Sequence, residues 1–178
     1  PGVEAKVADI EQSGRECGPG EPGELLIRGP IVTMGYYNNP EATADTVDPQ
    51  GWLHTGDVAT HDGTGHLFIV DRLKDVILTG GYNVYPAEIE RVLIGHPDVA
   101  LVAVGHESDD VLGEVAHAYI VLRTGAAPDR AEILDYCRAH LAAYKVPREV
   151  HYVETLPTTS SGKLMRRKLH PPTAVAQP

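Results

Sequence analysis

A lysine at position 163 follows Pro157-Thr158-Thr159-Ser160-Ser161-Gly162 and precedes Leu164-Met165-Arg166-Arg167-Lys168-Leu169. Small hydroxyl residues and a glycine make a loop of low steric demand. Lys163, Arg166, Arg167 and Lys168 form a basic patch within a chain of formal net charge −10. Such a patch is either the solvated end of a helix or a seat for a phosphorylated ligand. Ser161-Gly162-Lys163 is not a P-loop, which needs Gly where Pro157 stands and Ser or Thr where Leu164 stands. Upstream, Thr55-Gly56-Asp57 puts a carboxylate at a strand end. Its two acceptor oxygens suit a vicinal diol such as that of a ribose, and Gly56 allows close backbone approach. A plain turn aspartate is the competing reading. Arg72 offers a planar fork of donors suited to oxyanions, or pairs on the surface with Asp71 or Asp75. Lys74, taken alone, is a linker lysine. Gly80-Gly81-Tyr82-Asn83 permits a tight hairpin and a surface without side chains to block a ligand.

Two kinds of element must position these groups. Up to about Val70 the chain is rich in Gly and Pro. Leu25-Leu26-Ile27, Val58-Ala59-Thr60 and Leu67-Phe68-Ile69-Val70 read as strands bounded by turn signals at Pro22-Gly23, Asn38-Asn39-Pro40 and Asp62-Gly63. These residues predict a small β-rich, partly barrel-like unit. After Asp71 the pattern changes. Pro86 at a first helical position, with Ile89, Val92 and Leu93 at helical spacing and Gly95 beyond, predicts a short helix. Glu88 and Glu90 fall in its first turn, where acids favour the positive dipole end, and neither needs a catalytic part. Val99–Val104 and Ala116–Leu122 are almost continuously apolar, as strands covered on both faces would be. Pro128 opens a second helix with Ile133, Leu134, Cys137 and Leu141 inward, ending before Pro147. Glu149–Val153 is a last strand and Lys163–Leu169 a short helical tail. The fold class is α+β: a β-rich unit over 1–71, a junction at 72–75, an α+β domain with a central sheet and flanking helices over 76–170, and a disordered tail over 171–178.

Composition narrows the class. With 42% hydrophobic and 22% charged residues the chain reads as a globular protein, without an apolar run near the ~20 residues of a membrane helix. The acidic balance argues against a nucleic-acid partner, whose binding rests on neutralising phosphates. Cys17 and Cys137 lie far apart; they could form one optional disulfide, but read sooner as two reduced thiols of a cytoplasmic protein. The nine histidines form no metal-ligand pattern, and His61 with His66 has neither helical context nor a Cys partner. No Gly-x-Ser-x-Gly elbow is present. Trp52 and Phe68 are core or interface anchors.

In order and spacing, His54-Thr55-Gly56-Asp57, then Asp71-Arg72-Leu73-Lys74-Asp75 with Gly80-Gly81-Tyr82-Asn83-Val84-Tyr85-Pro86, then Pro157–Leu169 resemble the C-terminal signature of the adenylate-forming superfamily. That superfamily joins acyl-CoA synthetases, peptide-synthetase adenylation domains and luciferases, and the resemblance runs from Pro1 to Leu169. It implies that Thr55 and Asp57 bind the nucleotide, Asp57 through the ribose hydroxyls, and that Arg72 lies near ribose and phosphates. Lys74 matches the hinge about which the C-terminal domain swings as a mobile lid. Gly80, Gly81, Tyr82 and Asn83 match the loop lining the pantetheine channel. Lys163 matches the catalytic lysine that bridges a carboxylate and the α-phosphate of ATP, lowering the repulsion between them.

Ala143-Tyr144-Lys145-Val146-Pro147 and Ser161–Leu169 look most like fatty-acyl and aryl-acid CoA ligases, and no carrier-like segment follows Leu169. The resemblance therefore implies an acid, ATP with Mg2+, and CoA as substrates, with no resident metal or tightly bound cofactor. It covers only the family's last third. The N-terminal domain, with its phosphate loop and acyl pocket, is a partner to be supplied by the same protein, and the piece alone should have little activity. Two alternatives stand beside this reading: a ligase that loads a carrier protein, and a binding or regulatory module acetylated at Lys163 by a lysine acetyltransferase.

Overall fold

The computed structural model describes residues 2–12 and 14–171. All but the first residue of the expected disordered tail therefore lies outside the described residues. The chain divides into two compact units, Pro1–Lys74 and Asp75–Pro178.

In the first unit, β1 (Glu4–Ala8), β2 (Gly23–Arg28), β3 (Leu53–His61) and β4 (Leu67–Arg72) form an antiparallel sheet in chain order. β1 and β4 are its edges, so the sheet is open within the described residues. Its small core is Val7, Cys17, Leu25 and Ala59. Gly23 is dictated by packing: a Cβ there would meet the Ala8 carbonyl oxygen at 2.3 Å and Cys17 Sγ at 2.6 Å. β1 is not signalled by alternation because Val7 is its one buried residue. Asn38-Asn39-Pro40, expected to be a turn, is the entrance to helix α1 (Pro40–Thr46). The Asn39 side chain accepts from Ala42 N–H at 3.0 Å, as an N-cap should, and Pro40 occupies the position where a missing N–H is harmless.

The second unit contains β5 (Ile77–Thr79), β6 (Tyr82–Val84), α2 (Pro86–Leu93), β7 (Val99–Asp109), β8 (Gly113–Leu122), α3 (Arg130–His140) and β9 (Glu149–Tyr152). β8 is the spine of the sheet. β7 lies antiparallel along one edge of it; β5 meets the other edge at Gly113, and β9 pairs with it in parallel from His117 to Ile120. One core joins Ile89 and Leu93 of α2, Ile133 and Cys137 of α3, and Ala118, Ile120 and Val150 of the sheet. Each fully buried aliphatic side chain here contributes about 1.5–3 kcal/mol. Asp129, rather than Pro128, caps α3, accepting from Glu132 N–H at 2.8 Å.

Tyr119 and Ala103 gather a second cluster with Leu156, Leu164 and Leu169. The segment after β9 thus packs onto the sheet through its leucines. Beside them His117 Nδ1 and His151 Nε2 lie 3.1 Å apart, and burial holds both rings below the ordinary histidine pKa. Desolvation disfavours the charged form, so both rings are neutral at pH 7.

Two expectations are corrected. β7 is not covered on both faces, since Leu101 is 55% exposed. The tail from Lys163 is not a helix: only Arg166–Lys168 makes a single 3₁₀ turn. No described helix is long and apolar enough to cross a membrane.

Candidate functional site

In the first unit Asp57 and Arg72 are direct cross-strand partners on β3 and β4, beside a register shift at Val58/Ala59. Their side chains meet at 2.9 Å, Arg72 Nε to Asp57 Oδ1. Side-chain exposures of 57% for Arg72 and 27% for Asp57 leave both within reach of a ligand. Such an exposed pair adds only about 0–1 kcal/mol to stability. Of the residues beside Arg72 in sequence, Asp71 Oδ1 accepts the Arg72 backbone N–H at 2.8 Å.

Thr55 serves Asp57 from behind. Its hydroxyl donates to the Leu25 carbonyl at 2.7 Å and accepts the Asp57 N–H at 3.1 Å. Gly56 has φ +67°, which a residue with a Cβ adopts only at a cost. Glu24 completes the turn, accepting Gly56 N–H at 3.2 Å and lying 2.8 Å from His54 Nδ1. Sequence reasoning missed Glu24. It sits on β2, some thirty residues from the turn that it holds, and only strand pairing brings the two together.

Lys74 lies with an exposed side chain in the 3₁₀ turn Leu73–Asp75, and the division between the units falls directly after it.

In the second unit, Gly80 and Gly81 form the two-residue loop between β5 and β6, closing the Thr79–Tyr82 pair with φ of +56° and +84°. Two consecutive positive φ values define the hairpin turn whose twist matches the strands. Tyr82 stacks on Tyr144 with centroids 4.5 Å apart, while Asn83 is half-buried. Behind the turn lies a cleft of about 510 Å³ bordered by Thr79, Gly80, Tyr82, Leu112, Tyr144 and Arg148. The buried Thr79 hydroxyl has no hydrogen-bond partner among the described residues.

Lys163 stands near the end of a closed hairpin. Thr158 and Leu164 form an antiparallel bridge. Thr159 N–H donates to the Lys163 carbonyl at 2.8 Å, and Met165 N–H to that of Pro157 at 2.8 Å. Gly162, with φ +82°, turns the chain. The Lys163 side chain is exposed and makes no ion pair among the described residues.

The basic patch is not uniform. Lys163, Arg167 and Lys168 are exposed, but Arg166 turns inward. It grips both oxygens of Glu90, donates to the Val104 carbonyl at 2.9 Å and lies 3.5 Å from Asp75 Oδ2. Glu90 therefore has a role that the dipole argument did not foresee. Only Glu88 is in the first turn of α2, and it holds Lys145 at 2.7 Å through both oxygens.

His96, Asp98 and Glu132 bring one potential ligand atom each within 4.8 Å of one another. His96 Nδ1 already accepts the Asp98 N–H at 3.2 Å.

Residues 88–163, within the second unit, match the family model described as the AMP-binding enzyme C-terminal domain. The chain is 45% identical over 160 residues to 2-succinylbenzoate–CoA ligase of Bacillus licheniformis, covering 90% of this chain and 33% of that protein. It is 48% identical over 154 residues to feruloyl-CoA synthase of Amycolatopsis sp, covering 86% and 31%. It superposes on ATP-bound MatB from Rhodopseudomonas palustris with a TM-score of 0.87 at 36% identity, covering 94% of this chain and 33% of that one. The chain belongs to the adenylate-forming enzymes and corresponds to their C-terminal part. It spans about a third of the length of the curated relatives it matches.

Proposed function

We propose that the chain is the C-terminal part of a cytoplasmic AMP-forming acid–thiol ligase. In the first step a fatty or aryl carboxylate attacks the α-phosphorus of Mg-ATP, giving acyl-AMP and pyrophosphate. In the second, the thiol of CoA attacks the acyl carbon and AMP leaves with the bonding electron pair. The single observation carrying this reading is the ammonium of Lys163, without an ion-pair partner among the described residues and held outward by a hydrogen-bonded hairpin. An ammonium so placed can enter a site containing two anions and stabilise charge as it develops on the phosphoryl oxygens.

Asp57 holds the ribose diol and Arg72 faces the phosphates, with Thr55 fixing the Asp57 backbone. Lys74 is the pivot that lets the second unit present either Lys163 or the Gly80–Asn83 turn to the reacting centre. The cleft behind that turn, with Arg148 at its border, gives the thiol arm its path. The remainder of the protein, preceding this segment, contributes the phosphate loop and acyl pocket.

The test is acid-dependent AMP formation by the full-length protein, with CoA as acceptor against a phosphopantetheinylated carrier protein. Turnover with CoA is the expected result, and turnover with the carrier alone would replace CoA as the acceptor. The 178-residue chain by itself is expected to release no pyrophosphate above background, because a site built from two lobes needs both to hold ATP and acid. Normal turnover by the chain alone would refute that division of labour.

A pivot at Lys74 has its own signature. Lys74→Pro fixes φ near −65°, and we expect it to impair one half-reaction far more than the other. The two are measured separately, by pyrophosphate exchange and by thioester formation from supplied acyl-AMP. Equal loss in both would place the pivot elsewhere.

A further inference from the structure

We infer that Arg166 is a positioning residue: it fastens the base of the Lys163 hairpin to the first residue of the second unit, so that the hairpin moves as one body with the end of the hinge. The inference rests on the reading of Lys163 as the adenylation lysine.

The contacts that carry it are specific. Arg166 lies three residues after Lys163 and one after Met165, whose N–H closes the hairpin on Pro157. Its guanidinium meets acceptors from three separate elements. Nη1 and Nη2 take the two oxygens of Glu90 on α2, the second at 3.0 Å; Nη1 also donates to the Val104 carbonyl on β7 at 2.9 Å; and Nε faces Asp75 at 3.5 Å. Asp75 opens the second unit, directly after Lys74. Side-chain exposures of 20%, 19% and 20% for Arg166, Glu90 and Asp75 remove most of the solvent screening.

A bidentate fork fixes direction as well as distance, which a lysine cannot do. The leucines on either side of the hairpin, Leu156 and Leu164, hold it against Tyr119, but apolar packing is not directional. Orientation of the Lys163 loop relative to the hinge therefore falls to Arg166. The flanking Arg167 and Lys168 are exposed and carry no such network among the described residues.

Two variants test this, Arg166→Met and Arg166→Lys. In the 178-residue chain, hydrogen exchange of the hairpin amides of Thr159, Gly162 and Met165 is expected to speed up at least about tenfold, with β8 amides unchanged. If the Met variant loosens the whole unit, the Lys variant decides, since it keeps the charge but not the fork. Hairpin and β8 amides responding alike in the Lys variant would overturn the inference.

The activity arm uses the full-length enzyme. Arg166→Lys should lower kcat for acid-dependent pyrophosphate exchange roughly 10- to 100-fold, the scale of a small misplacement. KM for ATP and acid should stay within about threefold, and thioester formation from supplied acyl-AMP should be preserved. Equal loss in both half-reactions would mark Arg166 as merely structural and sink the inference. If the variants loosen the hairpin but Lys163→Ala leaves exchange intact, the fault lies in the role given to Lys163 and the anchoring stands.

Discussion

Replacing Lys163 with alanine in the full-length protein is expected to lower acid-dependent ATP–pyrophosphate exchange by roughly a hundredfold or more, the effect of removing one preorganised donor worth about 3 kcal/mol. The fold should not change, because the side chain is exposed and the hairpin is closed by backbone bonds that alanine retains. Thermal unfolding of the variant chain should match the parent. KM for ATP should move little, since the ammonium contributes most where charge builds in the transition state. Thioester formation from supplied acyl-AMP should survive, as it draws on the Gly80–Asn83 turn rather than on Lys163. An exchange rate within a few-fold of the parent would remove Lys163 from the chemistry.

The next largest effect is expected at Asp57. Asp57→Ala deletes the two acceptor oxygens assigned to the ribose diol. Hydrogen bonds to a charged group contribute about 1.5–3 kcal/mol each, so losing both should raise KM for ATP by at least roughly 100-fold. The loss should be shared between ATP and acyl-AMP, because both carry the same ribose; KM for the acid should be nearly unchanged. Removing Asp57 also frees Arg72, but that pair is exposed and its loss should cost no more than about 1 kcal/mol in stability. A KM for ATP that stays put would return Asp57 to the role of a turn residue.

The sequence was most informative where local pattern and local physics coincide. Ile89, Leu93, Ile133 and Cys137 sit at helical spacing and are buried together. Two adjacent glycines between short apolar runs make the hairpin of β5 and β6. Asp57 and Arg72 were separate candidates on the page, and strand register made them partners. What stayed hidden depends on distant contacts. Glu24 reaches the Gly56 turn across thirty residues, and Arg166 reaches Glu90 across seventy-six. No periodicity encodes either bond. β1 went unseen because a one-residue apolar commitment leaves no alternation. α1 was masked by its own cap: Asn39 and Pro40 serve a helix start as readily as a turn.

The Val104 backbone carries one last implication. Among the described residues β7 pairs with β8 on one side only, so its outer margin presents amides and carbonyls that could recruit a foreign strand. At Val104 that opening is shut: Glu90 accepts the N–H at 2.8 Å and Arg166 donates to the carbonyl. Side chains stand in for a missing neighbour strand. The guanidinium at the base of the lysine loop thus also covers one outward-facing carbonyl of this strand edge, where an unpaired carbonyl would invite a foreign strand.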